Sequence, residues 1–308
     1  MPQLADPGFD QLPDLKADPV QRIIIVLSGE VASDAGFFSL LSPRDVLVCA
    51  DGGARHLHRL NCLPDRLVGD LDSIDPADLA WIEKNQVPIQ RFPSAKDQTD
   101  AELAIELALD LLSQSEIPCV RYQPSSEWST KLTTEALPRI DPASVEIVIL
   151  AALGGRPDHV LANQLMAVHL AEKGFRVLLS DGLSRLYPIV GPGHYEFSIP
   201  QVAFKTSAET CTPDTTNTPT LGTTKTTPSG TTKTTQDNSD QPLSWAVSAI
   251  PISPEVTGLT YTGLRYPLTS ATLPQGSCRG VSNRPLDDQT IAVDLATGSL
   301  LLVITPEI

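Results

Sequence analysis

Positive charge, aromatic residues and long apolar runs are all scarce in this sequence, and each shortage excludes a class of protein. Lys and Arg number 22 against 37 Asp and Glu, giving a formal net charge of −15 and a pI near 4.6. Such a chain lacks the cations needed to neutralise a nucleic-acid backbone, so no nucleic-acid partner is expected. It can still bind a polyphosphate when a divalent cation bridges the two, and it favours a cationic small substrate. No stretch reaches the roughly 18 apolar residues of a membrane span. The five cysteines (Cys49, Cys62, Cys119, Cys211 and Cys278) are odd in number and scattered. They make no complete disulfide framework and read as reduced thiols of a cytoplasmic protein. Residues 1–20 are acidic and proline-bearing, without the basic flank and apolar core of a signal peptide, and are expected to be a disordered tail. Two phosphate-binding signatures are also missing, the G-x-x-x-x-G-K-[ST] loop and a G-x-G-x-x-G after the first strand.

What is present is an alternation. Arg22-Ile23-Ile24-Ile25-Val26-Leu27 is a continuous apolar run of the kind covered on both faces in a parallel sheet. Further strands are expected at 45–49, 66–68, 88–92, 145–151 and 176–180. Helices are expected between them, one from Asp75-Pro76, a cap followed by proline, and one from the T-x-x-E capping box Thr99 to Glu102. This pattern predicts a doubly wound, mostly parallel α/β domain over 21–193, interrupted by an excursion at 118–142. A smaller all-β, sandwich- or barrel-like domain follows over 194–308. Within it, residues 205–240 carry fifteen threonines and repeat the segment 223–227 at 231–235. With almost no apolar residues this stretch is expected to be a disordered loop insertion. The run from Gln289 to Leu295 and its return through 300–304 around Thr297-Gly298 read as a hairpin.

The acidic residues fall where the strands end. Asp51-Gly52-Gly53 follows the second strand, Gly69-Asp70-Leu71-Asp72-Ser73 the third, Asp97 and Asp100 the fourth, Gly154-Gly155-Arg156-Pro157-Asp158-His159 the fifth and Asp181 the sixth. In a parallel sheet these all lie at the carboxyl end, where ligands bind. In extended geometry Asp70 and Asp72 point to one side of the chain, about 6.5–7 Å apart, close enough to share a hard cation. The same residues would also serve a capped turn. Carboxylates gathered in this way repel unless a cation such as Mg²⁺ sits among them. Arg156 is suited to clamping phosphate oxygens, and Lys96 reads as a phosphate contact before a partner for Asp97. His159 reads as a supporting residue, and His56 and His58, two apart on a helix, do not share a face.

These blocks, in this order and at this spacing, resemble those of the thiamine pyrophosphokinases. The resemblance extends to Gly263-Leu264-Arg265-Tyr266-Pro267-Leu268 and Gly280-Val281-Ser282-Asn283. It implies transfer of a diphosphate from ATP to the hydroxyl of thiamine, giving thiamine diphosphate and AMP, in homodimers whose sites are shared between subunits. It implies Mg²⁺ held with the triphosphate at Asp70, Asp72, Asp97 and Asp100, with Asp72 or Asp100 receiving the proton. Asp51, Gly52, Gly53, Lys96, Arg156 and Asp158 would then contact ATP. Gln98, Ser282 and Asn283 would contact thiamine, the last two from the partner subunit. Arg284 departs from the family's usual glutamate. A kinase of another small alcohol such as a pterin, or a nucleotide-binding module without catalysis, would share the α/β motifs.

Overall fold

Strands with apolar residues on both faces require cover on both sides, and this sheet has it. The computed structural model describes residues 21–93, 98–113, 140–200, 244–286 and 290–307. The expected tail, most of the 118–142 excursion, the threonine-rich insertion, Lys96 and Asp97 lie outside the described residues. β1 (Gln21–Val26) is central. β2 (Val46–Ala50), β3 (Arg66–Gly69) and β4 (Ile89–Arg91) follow in succession on one side, with β5 (Val145–Leu150) and β6 (Arg176–Ser180) on the other, all parallel. The winding direction reverses between β1 and β5, which creates a crevice at their carboxyl ends.

Alternate residues of β1 feed opposite cores. Ile24 and Val26 pack with Phe37 of α1 (Asp34–Ser39), Leu57 of α2 (Ala54–Leu60) and Ile82 of α3 (Pro76–Lys84). Ile23 and Ile25 pack with Leu103 and Leu107 of α4 (Asp100–Ser113) and with Ala167 and Leu170 of α5 (Pro157–Glu172). Each fully buried isoleucine contributes about 1.5–3 kcal/mol of transfer free energy. Both expected helix starts are capped: Asp75 accepts from the Ala77 N–H at 2.8 Å, and Thr99 and Glu102 bond reciprocally, at 2.7 and 3.3 Å.

The large sheet continues past residue 193. After β6 come β7 (Arg185–Val190), β13 (Ser299–Pro306) and β9 (Trp245–Pro251), each antiparallel to its neighbour, making nine strands. A smaller antiparallel sheet holds β11 (Leu268–Pro274), β10 (Glu255–Thr262), β12 (Ile291–Leu295) and β8 (Gly193–Phe197), in that order. Tyr187 and Leu302 of the large sheet share a core with Phe197 and Val293 of the small one.

The expected hairpin is not formed. β12 pairs with β10 and β8, whereas β13 pairs with β7 and β9. The burial patterns give the reason. β12 alternates and suits a sheet with one solvated face, while β13 is almost continuously buried and needs an interior position. The turn at Thr297-Gly298 therefore carries the chain from one sheet to the other.

Because Thr99 caps the helix that begins with Asp100, Thr99→Ala should lower the unfolding free energy by about 0.5–2 kcal/mol, read from urea denaturation. An unchanged midpoint would show that the cap does not hold α4.

Candidate active site

The crevice at the reversal point is a cleft of about 620 Å³, within the usual range for small-molecule and cofactor sites. It opens among the loops that leave β1 through β5. Two of these loops are bonded together: the Gly29 N–H donates to the Ala151 carbonyl at 2.9 Å and the Glu30 N–H to that of Leu153 at 3.1 Å. A Cβ on Gly29 would stand 2.2 Å from the Ala151 oxygen, so glycine is what permits this contact. Ser28, Glu30, Asp51, Arg55, Asp72, Gln98, Asp100, Arg156, His159 and Asn163 are among the lining residues.

Among the described residues, which do not include Asp97, two of the expected carboxylates converge and Asp51 joins them. Ligand oxygens of Asp51, Asp70 and Asp100 all lie within 4.8 Å of one another. Asp51 is 3% exposed. Its Oδ2 accepts from the Ser73 hydroxyl at 2.5 Å and the Ser73 N–H at 3.3 Å, while its buried Oδ1 has no hydrogen-bond partner among the described residues. Burial pushes the Asp51 carboxyl above the ordinary carboxylate range. The Ser73 bonds oppose the shift, and the charges of Asp100 and Asp70 add to it. A buried carboxylate oxygen beside two further carboxylates fits a hard divalent cation, which takes oxygen ligands.

Asp72 stands outside this trio. The strand ends at Gly69, and Leu71 takes a left-handed conformation (φ 66°). The Asp72 N–H then turns back onto Asp70 Oδ1 at 3.2 Å. The chain is therefore not extended here, although the Asp70 and Asp72 carboxyls still meet in a side-chain hydrogen bond. Asp72 still lines the cleft, exposed, with its carboxyl raised chiefly by the neighbouring charge of Asp70.

The other expected residues divide between the cleft and its surroundings. Gly52 and Gly53 are buried beneath the site, where a Cβ on Gly53 would stand 2.4 Å from the Val26 oxygen. Arg156 grips Asp158 with two nitrogens, at 3.2 and 2.5 Å, and this mutual bond raises the arginine's pKa and lowers the aspartate's. Gln98 donates to Glu106 at 2.7 Å. Asp181 accepts from two backbone N–H groups of its own turn. His56 and His58 point to different partners, the Gly29 carbonyl and Asp78.

Ser282 and Asn283 are not among the residues lining this cleft. The Asn283 side chain accepts from the Tyr266 and Arg284 N–H groups and donates to the Tyr266 carbonyl. Arg284 pairs with Glu307 at 3.0 Å. Arg55 was missed from the sequence, where it reads as an ordinary helix residue. It faces the cleft and donates to the carbonyls of Ser28 and Gly29 at 2.5 and 2.9 Å. Its position one residue after the Asp-Gly-Gly-Ala segment was the available signal.

Fold and site together define a doubly wound α/β protein with an acidic, cation-ready cleft of the kind that handles phosphorylated ligands. Residues 37–179 match the catalytic domain of thiamin pyrophosphokinase, and residues 238–300 match its vitamin B1 binding domain. The thiamine pyrophosphokinase of Bacillus subtilis (strain 168) is 22% identical over 253 residues, 82% of this chain and 84% of that protein. The crystal structure of a Bacillus subtilis thiamine pyrophosphokinase superposes with a TM-score of 0.62 at 20% identity, over 94% of this chain and all of that one. The Candida albicans thiamin pyrophosphokinase gives 0.62 at 16% identity, over 99% and 95% of the two chains. The chain belongs to the thiamin pyrophosphokinase family.

A carboxyl raised by folding contributes stability that is fully present below its unfolded pKa and is lost as pH rises through its folded pKa. Asp51 therefore weakens the metal-free protein at neutral pH. Asp51→Asn should melt higher than the parent at pH 7 in chelator, with the advantage shrinking as pH falls toward the ordinary aspartate pKa of about 3.9. Added Mg²⁺ should stabilise the parent more than the variant. A variant that melts lower at pH 7 would show that the Asp51 charge is already compensated within the chain.

Proposed function

We propose that this chain transfers an intact diphosphate from ATP to the hydroxyl of thiamine, with Mg²⁺ held by Asp51, Asp70 and Asp100. The observation that carries this reading is the buried Asp51 carboxylate, whose Oδ1 has no hydrogen-bond partner among the described residues, converging with the carboxylates of Asp70 and Asp100 beyond the carboxyl ends of β2 and β3. Asp72 and Asp97 complete the proposed metal-facing set. When bound, Mg²⁺ would neutralise phosphate charge between these carboxylates and the triphosphate. In the reaction, the thiamine oxygen bonds to the β-phosphorus and the bond from that phosphorus to the bridging oxygen of AMP breaks. The electron pair leaves with AMP, and the hydroxyl proton passes to a carboxylate. Asp72 is our choice for that acceptor, since it lines the cleft without belonging to the converging trio; Asp100 is the second candidate.

Arg156 takes phosphate oxygens once they displace Asp158, which then faces the ribose or base. Lys96 is a further phosphate contact, and Asp51, Gly52 and Gly53 support the nucleotide from below. Gln98 lines the thiamine side. Ser282 contacts thiamine from the partner subunit of a homodimer, and Asn283 acts there through the Tyr266 loop that it holds. Support for pairing comes from exposed apolar side chains in both parts of the chain, among them Leu161 (57% exposed), Leu165 and Tyr266 (62% exposed). No described helix is long and apolar enough to cross a membrane. The described free thiols Cys49, Cys62 and Cys278 support the cytoplasmic assignment.

With thiamine, ATP and Mg²⁺, the nucleotide product should be AMP; ADP would refute diphosphate transfer. Asp72→Asn should lose at least about 10²-fold in kcat, the lower range for a positioned base, with an unchanged melting temperature. Near-normal kcat would remove Asp72 from the chemistry. Mixing Asp72→Asn with a separately inactivated Ser282 variant should restore activity, because a mixed dimer contains one complete site. Failure of two folded, inactive variants to complement would argue against shared sites.

A further inference from the structure

The Ser73 hydroxyl is bonded to Asp51 at 2.5 Å, and none of the expected roles uses it. We propose that Ser73 is a positioning residue: it fixes one oxygen of Asp51 so that the other is presented to the cation. The inference rests on the metal-dependent reading above. An aspartate carboxylate rotates in a broad, roughly two-fold well about its last torsion, so its own geometry does not decide which way each oxygen faces. At Asp51 the surroundings decide it. Oδ2 takes both the hydroxyl at 2.5 Å and the backbone N–H at 3.3 Å from Ser73. Oδ1 is left buried with no hydrogen-bond partner among the described residues, on a carboxylate that converges with those of Asp70 and Asp100.

The backbone is committed to the same arrangement. Asp51 sits at φ 40°, and Gly69 passes so close that a Cβ there would stand 2.9 Å from the Asp51 Cβ. A Cβ on Gly52 would stand 3.2 Å from the Ser73 hydroxyl oxygen. Ser73 lies three residues beyond Asp70, so one turn carries both a carboxylate of the trio and the donor that aims another.

The test is titration of Mn²⁺ by calorimetry in the presence of α,β-methylene-ATP, whose α–β bridge is not cleaved, so that binding is read without turnover. Ser73→Ala should weaken Mn²⁺ binding by about 10–100-fold, the usual loss when a hydrogen bond to a metal ligand is removed. Ser73→Thr, which keeps the hydroxyl, should restore binding, and the loss of turnover in the alanine variant should fall on kcat rather than on the KM for thiamine. If Ser73→Ala does not fold, Ser73→Cys, a weak donor of similar size, is measured with the same expectation. Parental Mn²⁺ affinity in the alanine variant would overturn the role of Ser73 and leave the family reading intact. Equal loss in the threonine variant would overturn the role of the hydroxyl. Absence of Mn²⁺ binding by the parent would overturn both the metal site and this inference.

Discussion

Three carboxylates held within 4.8 Å of one another set the terms for the rest of this structure. Two like charges at that separation repel by roughly 3–4 kcal/mol in a medium of effective dielectric about 20. A chain that gathers them must hold them by force of its backbone until a cation arrives. The opposite end of the same sheet shows how the protein treats acids that have no such task. There Arg22 sits between Asp45 and Glu146 at 3.2 Å from each. Asp45 and Glu146 at the amino end are matched by Arg22, whereas Asp51, Asp70 and Asp100 at the carboxyl end face one another.

The holding is done by strained turns on a rigid frame. Asp51, Leu71 and Ala151 all have left-handed backbones without being glycine, and each follows the carboxyl end of a strand, β2, β3 and β5 respectively. Such residues cost about 1–3 kcal/mol each and persist only where packing over-determines them. The frame that over-determines them is the pairing of β1 with β2 and β5, whose alternate residues anchor two cores at once. Folding energy gained in the interior of the sheet is thus what keeps the acidic site assembled.

Much of this frame was legible in the residues. The isoleucine run of β1, the proline after Asp75 and the Thr99–Glu102 box each carry a local physical signal, and each lies where that signal placed it. The β12–β13 connection was misread because two apolar runs around a Thr-Gly turn look like a hairpin, although one alternates and the other does not. The pairing of Asp70 with Asp72 was drawn on an extended chain, and the left-handed Leu71 bends that chain. No local rule announces a positive φ at leucine. The resemblance implied a nucleotide role for Asp51; the fold also brings its carboxylate within 4.8 Å of those of Asp70 and Asp100. Convergence of residues from three loops is tertiary information, so the membership of the trio could not be read from any one motif.

The central claim is that this convergence is a cation site, and its most direct test is crystallographic. Crystals grown with Mn²⁺ and α,β-methylene-ATP should give an anomalous peak within coordination distance of Asp51 Oδ1 and of carboxylate oxygens of Asp70 and Asp100, with the triphosphate against it. A peak held elsewhere, with Asp51 Oδ1 still buried and unligated, would contradict the account.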